Sequence, residues 1–337
     1  MNIKYERDMG LDIVKTVATI FVICVHFFLK TKFYETPVLG KNMYMQVVLQ
    51  QTFLICVPLF MIATGYINKS ININIKYYKK IIPIIVVYFV YSVLALLLRH
   101  YVDGDTYSIR SFITEILSFT GNPYSWYINM FIGLFCMAPF LNILYNSLNS
   151  KQDKRVLLII FLMLTAIPTL FNGRFLGIIY FPSYFTGMYP ISYYFIGKYI
   201  NEYKPNINRF YGILILILLI LIQSIIEVYF ANGDLFRFYL SDYQSILRTF
   251  QALILFLLLY RMNVSNKSVR SFFTLISSLS LDIYLSSYMA DRFIYSYFDK
   301  YEMIQQQYIY LFLPITLIVF LVSLFISYLR KRILKIR

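Results

Sequence analysis

Charged residues are scarce in this sequence: Asp, Glu, Lys and Arg make up 14% of its 337 positions, against roughly a quarter in soluble domains. That scarcity excludes an ordinary soluble globular fold. Cysteine is scarce too, and Cys24, Cys56 and Cys136 all fall in apolar stretches. Their spacing gives neither a disulfide framework nor a metal-ligand set, so they read as small core hydrophobes and no metal is expected. Two histidines, His26 and His100, and one tryptophan, Trp126, are present. Proton transfer near neutral pH therefore has few candidates. No convincing internal repeat is found, which weighs against transporter folds built from two related halves. No linker or soluble domain is evident; the longest polar stretch, 99–122, could cap the outer face.

What is abundant is apolar. The chain is 59% hydrophobic and 19% aromatic, and runs near twenty residues recur from end to end, the length that crosses a bilayer as a helix. The fold class expected is all-α, a polytopic integral membrane protein filling 1–337 as a single transmembrane domain. About ten transmembrane helices are expected, at 11–30, 43–67, 78–98, 125–146, 156–172, 176–200, 210–230, 243–261, 272–292 and 307–329. The first is of full length and lacks a small-residue cleavage site, so it reads as a span rather than a cleaved signal. Pro168, Gly173, Gly177, Pro182, Gly187 and Pro190 interrupt the fifth and sixth. Such breaks are tolerated at membrane depth only where the backbone is buried in protein or lines a wet cavity.

The net charge of +15 could suggest nucleic acid, but its distribution speaks for topology. With the N-terminus inside, twenty of the 31 basic residues fall in inner segments and ten of the sixteen acids in outer ones. That is the positive-inside pattern, and it puts both termini in the cytoplasm. The expected partner of this charge is anionic membrane lipid, not nucleic acid. Abundant Ile, Asn, Lys and Tyr fit an AT-rich coding genome and, with it, the plasma membrane of a bacterium.

The first span carries an awkward polar stripe: Asp12, Lys15 and His26. Lys15 and His26 are eleven residues apart, which is three helical turns plus about 20°, so they share a face with about 16 Å between them along the axis. Ionisable groups in a membrane are costly and mark a protein interior or a functional cavity. His26, in the outer half, suits a general base that takes a proton from an attacking hydroxyl. Lys15, one turn from the cytoplasm, suits an anionic or carbonyl-bearing group, and Asp12 one turn before it could pair with it and lower the cost of burial. Against this stand a packed interior histidine and a lysine that snorkels to the interface; the three together favour function.

Asp12-Ile13-Val14-Lys15-Thr16-Val17-Ala18 followed by His26 resembles the opening helix of the membrane acyltransferase-3 family, in which an Arg usually stands where this chain has Lys15. Val57-Pro58-Leu59-Phe60-Met61-Ile62-Ala63-Thr64-Gly65-Tyr66 is similar to the end of that family's second helix, with Thr64 in place of the usual Ser. Ser125-Trp126-Tyr127-Ile128-Asn129-Met130 resembles its Trp-Tyr motif, and Ser278 to Ser287 its Ser-x-x-Ile-Tyr-Leu motif. Many members carry a His where this chain has Ser287, so a second catalytic His is not available there. An Arg-to-Lys change loses bidentate recognition, and Arg7 is a candidate to supply part of it.

The resemblance implies acetyl-CoA as acyl donor, bound from the cytoplasm, and a hydroxyl of a surface glycan as acceptor: a capsular polysaccharide, an exopolysaccharide or a lipid-linked precursor. It assigns His26 as base, Lys15 and Asp12 as its catalytic companions, and Arg7, Lys15, Trp126, Tyr127 and Tyr284 to the donor. Some members are joined to an extracellular domain that completes the transfer, so a separate extracellular partner is conceivable here. The competing expectation is a transporter or flippase of glycan or lipid intermediates, which would reuse the interior charges and the broken sixth span.

Overall fold

The computed structural model describes residues 7–68, 73–172, 180–301 and 303–334. Gly173, Arg174, Gly177, Lys4, Lys69, Lys335 and Arg337 lie outside the described residues. In chain order the helices are α1 (Met9–Lys30), α2 (Lys41–Phe53), α3 (Cys56–Ile67), α4 (Ile75–Tyr78), α5 (Ile82–Leu98), α6 (Ile109–Leu117), α7 (Trp126–Ser147), α8 (Lys151–Thr165), α9 (Pro168–Phe171), α10 (Tyr189–Tyr203), α11 (Arg209–Ala231), α12 (Ile246–Leu259), α13 (Lys267–Ser278), α14 (Ser280–Phe298) and α15 (Phe312–Leu334). No strand occurs among the described residues, and the expected all-α class holds.

Seven helical stretches are long and apolar enough to cross a membrane: Met9–Glu35, Lys41–Ile67, Ile75–Asp103, Trp126–Ser147, Lys151–Phe171, Arg209–Ala231 and Gln305–Leu334. Ile246–Leu259 is apolar but shorter. Two further expected spans are not among the seven. The one at 272–292 is two helices, α13 and α14, parted at Leu279. The one at 176–200 begins outside the described residues, and its helical part is α10, with Pro190 at the start where a missing N–H costs nothing.

The chain forms two compact units. The first comprises 1–69, 148–278 and 305–309, and the second 70–147, 279–304 and 310–337.

In the first unit Gly10, Gly65 and Gly197 bring backbones into contact. A Cβ on Gly65 of α3 would lie 2.0 Å from the Tyr194 carbonyl oxygen of α10, and one on Gly197 of α10 would lie 2.1 Å from the Ile62 oxygen of α3. The two helices therefore cross in direct backbone contact, the small-residue packing that membrane helices use. Gly10 does the same for α1, where a Cβ would lie 1.9 Å from the Tyr260 oxygen. Helix α1 starts at Asp8, whose side chain accepts the Leu11 N–H at 3.1 Å. Phe21 of α1 meets Phe53 of α2 edge to face at 5.1 Å, and the Tyr66 hydroxyl at the end of α3 donates to Asp8 at 3.4 Å. Both contacts set α2 and α3 antiparallel to α1 in one register.

The second unit is pinned by a buried ion pair. Arg330 of α15 holds Asp282 of α14 with two bonds of 2.6 Å, and Tyr91 of α5 donates to the same carboxylate at 3.2 Å. Ser286 adds bonds to the Ser323 oxygen at 3.1 Å and to the Ser327 hydroxyl at 3.2 Å. At the end of α5, Asp105 accepts from Tyr107 at 2.7 Å and from Arg99 at 2.9 Å. The Tyr107 hydroxyl first, and the Arg99 charge after it, hold the Asp105 carboxyl below the usual carboxylate range.

Candidate active site

Helix α1 is unbroken from Met9 to Lys30, so the shared face of Lys15 and His26 follows from helical geometry. His26 lies one turn from the end of the helix and is 5% exposed, while Lys15 is half-buried. A histidine in so dry a setting is kept ready to accept a proton only if its immediate surroundings can receive the resulting charge.

The start of the helix differs from expectation. Asp12 does not pair with Lys15. Its carboxylate is gripped by Arg7, with Nε at 2.6 Å from Oδ2 and Nη2 at 3.0 Å from Oδ1. Arg7 precedes the helix, and its guanidinium has the fork geometry that a lysine amine lacks. Thr274 of α13 closes the arrangement: its hydroxyl donates to Asp12 at 3.3 Å and its carbonyl accepts from Arg7 at 3.1 Å. Lys15 has no ion-pair partner among the described residues. Its amine lies half-buried on the face it shares with His26.

Further cations gather at the same end of α1. Lys204 donates to the Tyr66 hydroxyl, which passes the bond on to Asp8, and the Lys204 ammonium sits 4.1 Å over the Tyr66 ring. Arg261 donates to the Lys204 carbonyl. The Thr64-Gly65-Tyr66 stretch thus has a physical account: Gly65 lets α10 touch α3, and Tyr66 ties α3 to the cap of α1.

Trp126, Tyr127 and Tyr284 belong to the second unit. The Tyr127 and Tyr284 rings meet edge to face at 6.0 Å, and Trp126, 41% exposed, stands against Tyr127 at 6.2 Å. The Tyr284 hydroxyl donates to the Tyr124 carbonyl, and the Asn122 side chain donates to the Leu285 carbonyl at 3.0 Å. The Trp-Tyr segment and the α14 motif are therefore one packed assembly.

Sequence reasoning missed a polar cluster in the first unit. Arg248 of α12 is 0% exposed. Its four Nη hydrogens face the Gln51 carbonyl, Gln51 Oε1 at 2.6 Å, Gln251 Oε1 at 2.7 Å and the Ser241 carbonyl at 3.3 Å. Gln251 donates on to Gln223 at 2.6 Å. Glu227 spends its oxygens on the Tyr239 and Leu240 N–H groups at 3.0 and 2.7 Å. The guanidinium has only neutral acceptors, and its Nε–H has no partner among the described residues. The signal for this cluster is a row of amides in an apolar span, Asn42, Gln46 and Gln50 at four-residue spacing with Gln51 beside them.

No group of histidine, cysteine and carboxylate able to hold a metal occurs among the described residues. No curated protein and no solved structure matches the chain. Residues 9–329, from the first turn of α1 to within α15, match the acyltransferase domain of the acyltransferase-3 family. A multi-helix chain matched over nearly its whole length, with the lysine and histidine of its first helix on one face, belongs to that family and is a membrane acyltransferase.

Proposed function

We propose that the protein is an integral-membrane O-acetyltransferase that moves an acetyl group from cytoplasmic acetyl-CoA to a hydroxyl of a surface glycan or its lipid-linked precursor. The observation that carries this reading is α1 itself. It joins a cation-rich start (Arg7, Lys15, with Lys204 and Arg261 nearby) to a buried histidine about 16 Å further along the same face. With both termini cytoplasmic, the start faces the donor compartment and His26 the acceptor.

The residues present suit the donor's chemistry. Its phosphates call for several cations, and the exposed Arg7 and Arg261 with Lys204 supply them. Lys15 lies deeper and attracts the thioester end, while Asp12 holds Arg7 in place. His26 takes the proton of the acceptor hydroxyl as its oxygen attacks the acyl carbon. In the second unit Trp126, Tyr127 and Tyr284 offer aromatic faces of the kind that stack on a sugar or a pantetheine chain. The test is NMR of the surface glycan from cells with the wild-type gene, with none, and with His26→Ala. Ester signals are expected with the wild type alone; signals of wild-type strength from His26→Ala cells overturn the mechanism.

A further inference from the structure

Four side chains of the first unit form a hydrogen-bonded relay whose direction chemistry imposes. Arg248 can only donate. Its Nη2 donates to Gln51 Oε1, so the Gln51 nitrogen faces away, and it donates to Gln50 Oε1 at 2.9 Å. Gln50 then presents its own nitrogen, which donates to the Tyr34 hydroxyl oxygen at 3.1 Å. Turning Gln51 over would set an N–H against the guanidinium, and turning Gln50 over would set two N–H groups against each other. The cation therefore fixes both amides.

The consequence falls on Tyr34. Its oxygen accepts in the relay, and among the described residues no protein group takes its proton. Hydrogen bonds aligned head to tail polarise one another, more so away from water. Tyr34 is thus a donor with its proton unspent, at the end of a relay that starts on a buried cation.

The ring is held for such a task. Tyr34 is half-buried, stacked on Phe238 at 5.4 Å and anchored by the fully buried Phe33 at 5.0 Å. Phe238 has a φ of 51°, a left-handed conformation that costs a non-glycine residue and persists only where its surroundings enforce it. Phe21 of α1 meets Phe53 of α2, and three residues back from Phe53 along the antiparallel α2, Gln50 comes about level with Cys24. His26 is two residues on, about 3 Å along the axis. That arithmetic sets Gln50, the relay member that touches Tyr34, near the depth of the base.

Resting on the acyl-transfer reading above, we propose that the Tyr34 hydroxyl is the oxyanion donor of the reaction, polarised by Arg248 through Gln51 and Gln50. The acceptor oxygen bonds to the acyl carbon, its proton passes to the His26 imidazole, and the carbonyl π pair moves onto oxygen, where the Tyr34 O–H meets it. Collapse re-forms the carbonyl and breaks the C–S bond, and the departing thiolate takes the proton from the imidazolium.

The experiment uses full-length protein in lipid nanodiscs with acetyl-CoA and de-O-acetylated oligosaccharide from the source cell's surface glycan. Tyr34→Phe keeps the ring stack and is expected to lower kcat about 100-fold, as for loss of one oxyanion donor, with both KM values little changed. Gln50→Leu is expected to lower kcat less, and to add nothing in the Tyr34→Phe background. An undiminished kcat in Tyr34→Phe, or a loss confined to acceptor KM, overturns the oxyanion role while acyl transfer by the wild type stands. If Tyr34→Phe does not accumulate, an unchanged kcat in Gln50→Leu overturns it alone. Wild-type protein that consumes no acetyl-CoA sinks the acyl-transfer reading and this proposal with it.

Discussion

In the function proposed above, Lys15 and Arg7 divide the work that one arginine would do at the start of α1. Arg7 takes the bidentate bond to Asp12, and the proposal gives the Lys15 amine to the donor. Lys15→Ala is expected to raise the acetyl-CoA KM at least tenfold, whereas Lys15→Arg stays within about threefold, since charge rather than fork geometry is what the site asks of it. Initial-rate kinetics with varied acetyl-CoA check both, and equal losses for the two variants contradict the assignment. Arg7 is 48% exposed at its side chain, so Asp12→Asn is expected to cost about 1 kcal/mol or less in stability. Its effect should appear in donor KM and hardly in the melting temperature. Arg248→Met is the opposite case. It strands the buried Gln51, Gln251 and Ser241 acceptors and is expected to destabilise by about 3 kcal/mol, read as a drop in melting temperature of the detergent-solubilised protein.

At the scale of helices, the glycines decide which crossings can form. Gly65 and Gly197 sit where α3 and α10 touch backbone to backbone, so Gly65→Leu or Gly197→Leu must push the helices apart. Either is expected to cut accumulation of folded protein severely. Gly133 of α7 has nothing within 4 Å of a built Cβ, so Gly133→Ala is expected to be neutral or stabilising, by up to about 1 kcal/mol from helix propensity. Fluorescence-detected size-exclusion profiles distinguish the two outcomes. Local sequence also explains what was legible. Apolar length and the eleven-residue Lys15–His26 interval announce α1, and the interval keeps both on one face because that helix is uninterrupted. The break at Leu279 was not legible, because the residues on both sides continue one helical apolar pattern. Spacing pairs Asp12 with Lys15 because only helical neighbours can be counted from it. Arg7 reaches back from before the helix, and no periodicity describes that.

Over the whole molecule, burial does not follow charge in the way composition suggests. Arg248, Glu227, Asp282 and Arg330 are all buried. What keeps them inside is partnership across 48 residues between Asp282 and Arg330 and 197 between Gln51 and Arg248, which a reading along the chain cannot see. Breaking the first pair with Asp282→Asn leaves the buried Arg330 without a counter-charge and is expected to cost about 3–5 kcal/mol. Thermal unfolding of the variant against wild type checks this, and the double variant Asp282→Leu/Arg330→Met should recover much of the loss. In the proposed function His26 is the base of an acyl transfer run from the first helix. The most direct measurement follows the acetyl label of radiolabelled acetyl-CoA into the de-O-acetylated surface oligosaccharide, using purified wild-type protein and His26→Ala in nanodiscs. Alkali-labile label on the glycan is expected with wild type, and none above background with a well-folded His26→Ala protein. Equal labelling by the two would contradict it.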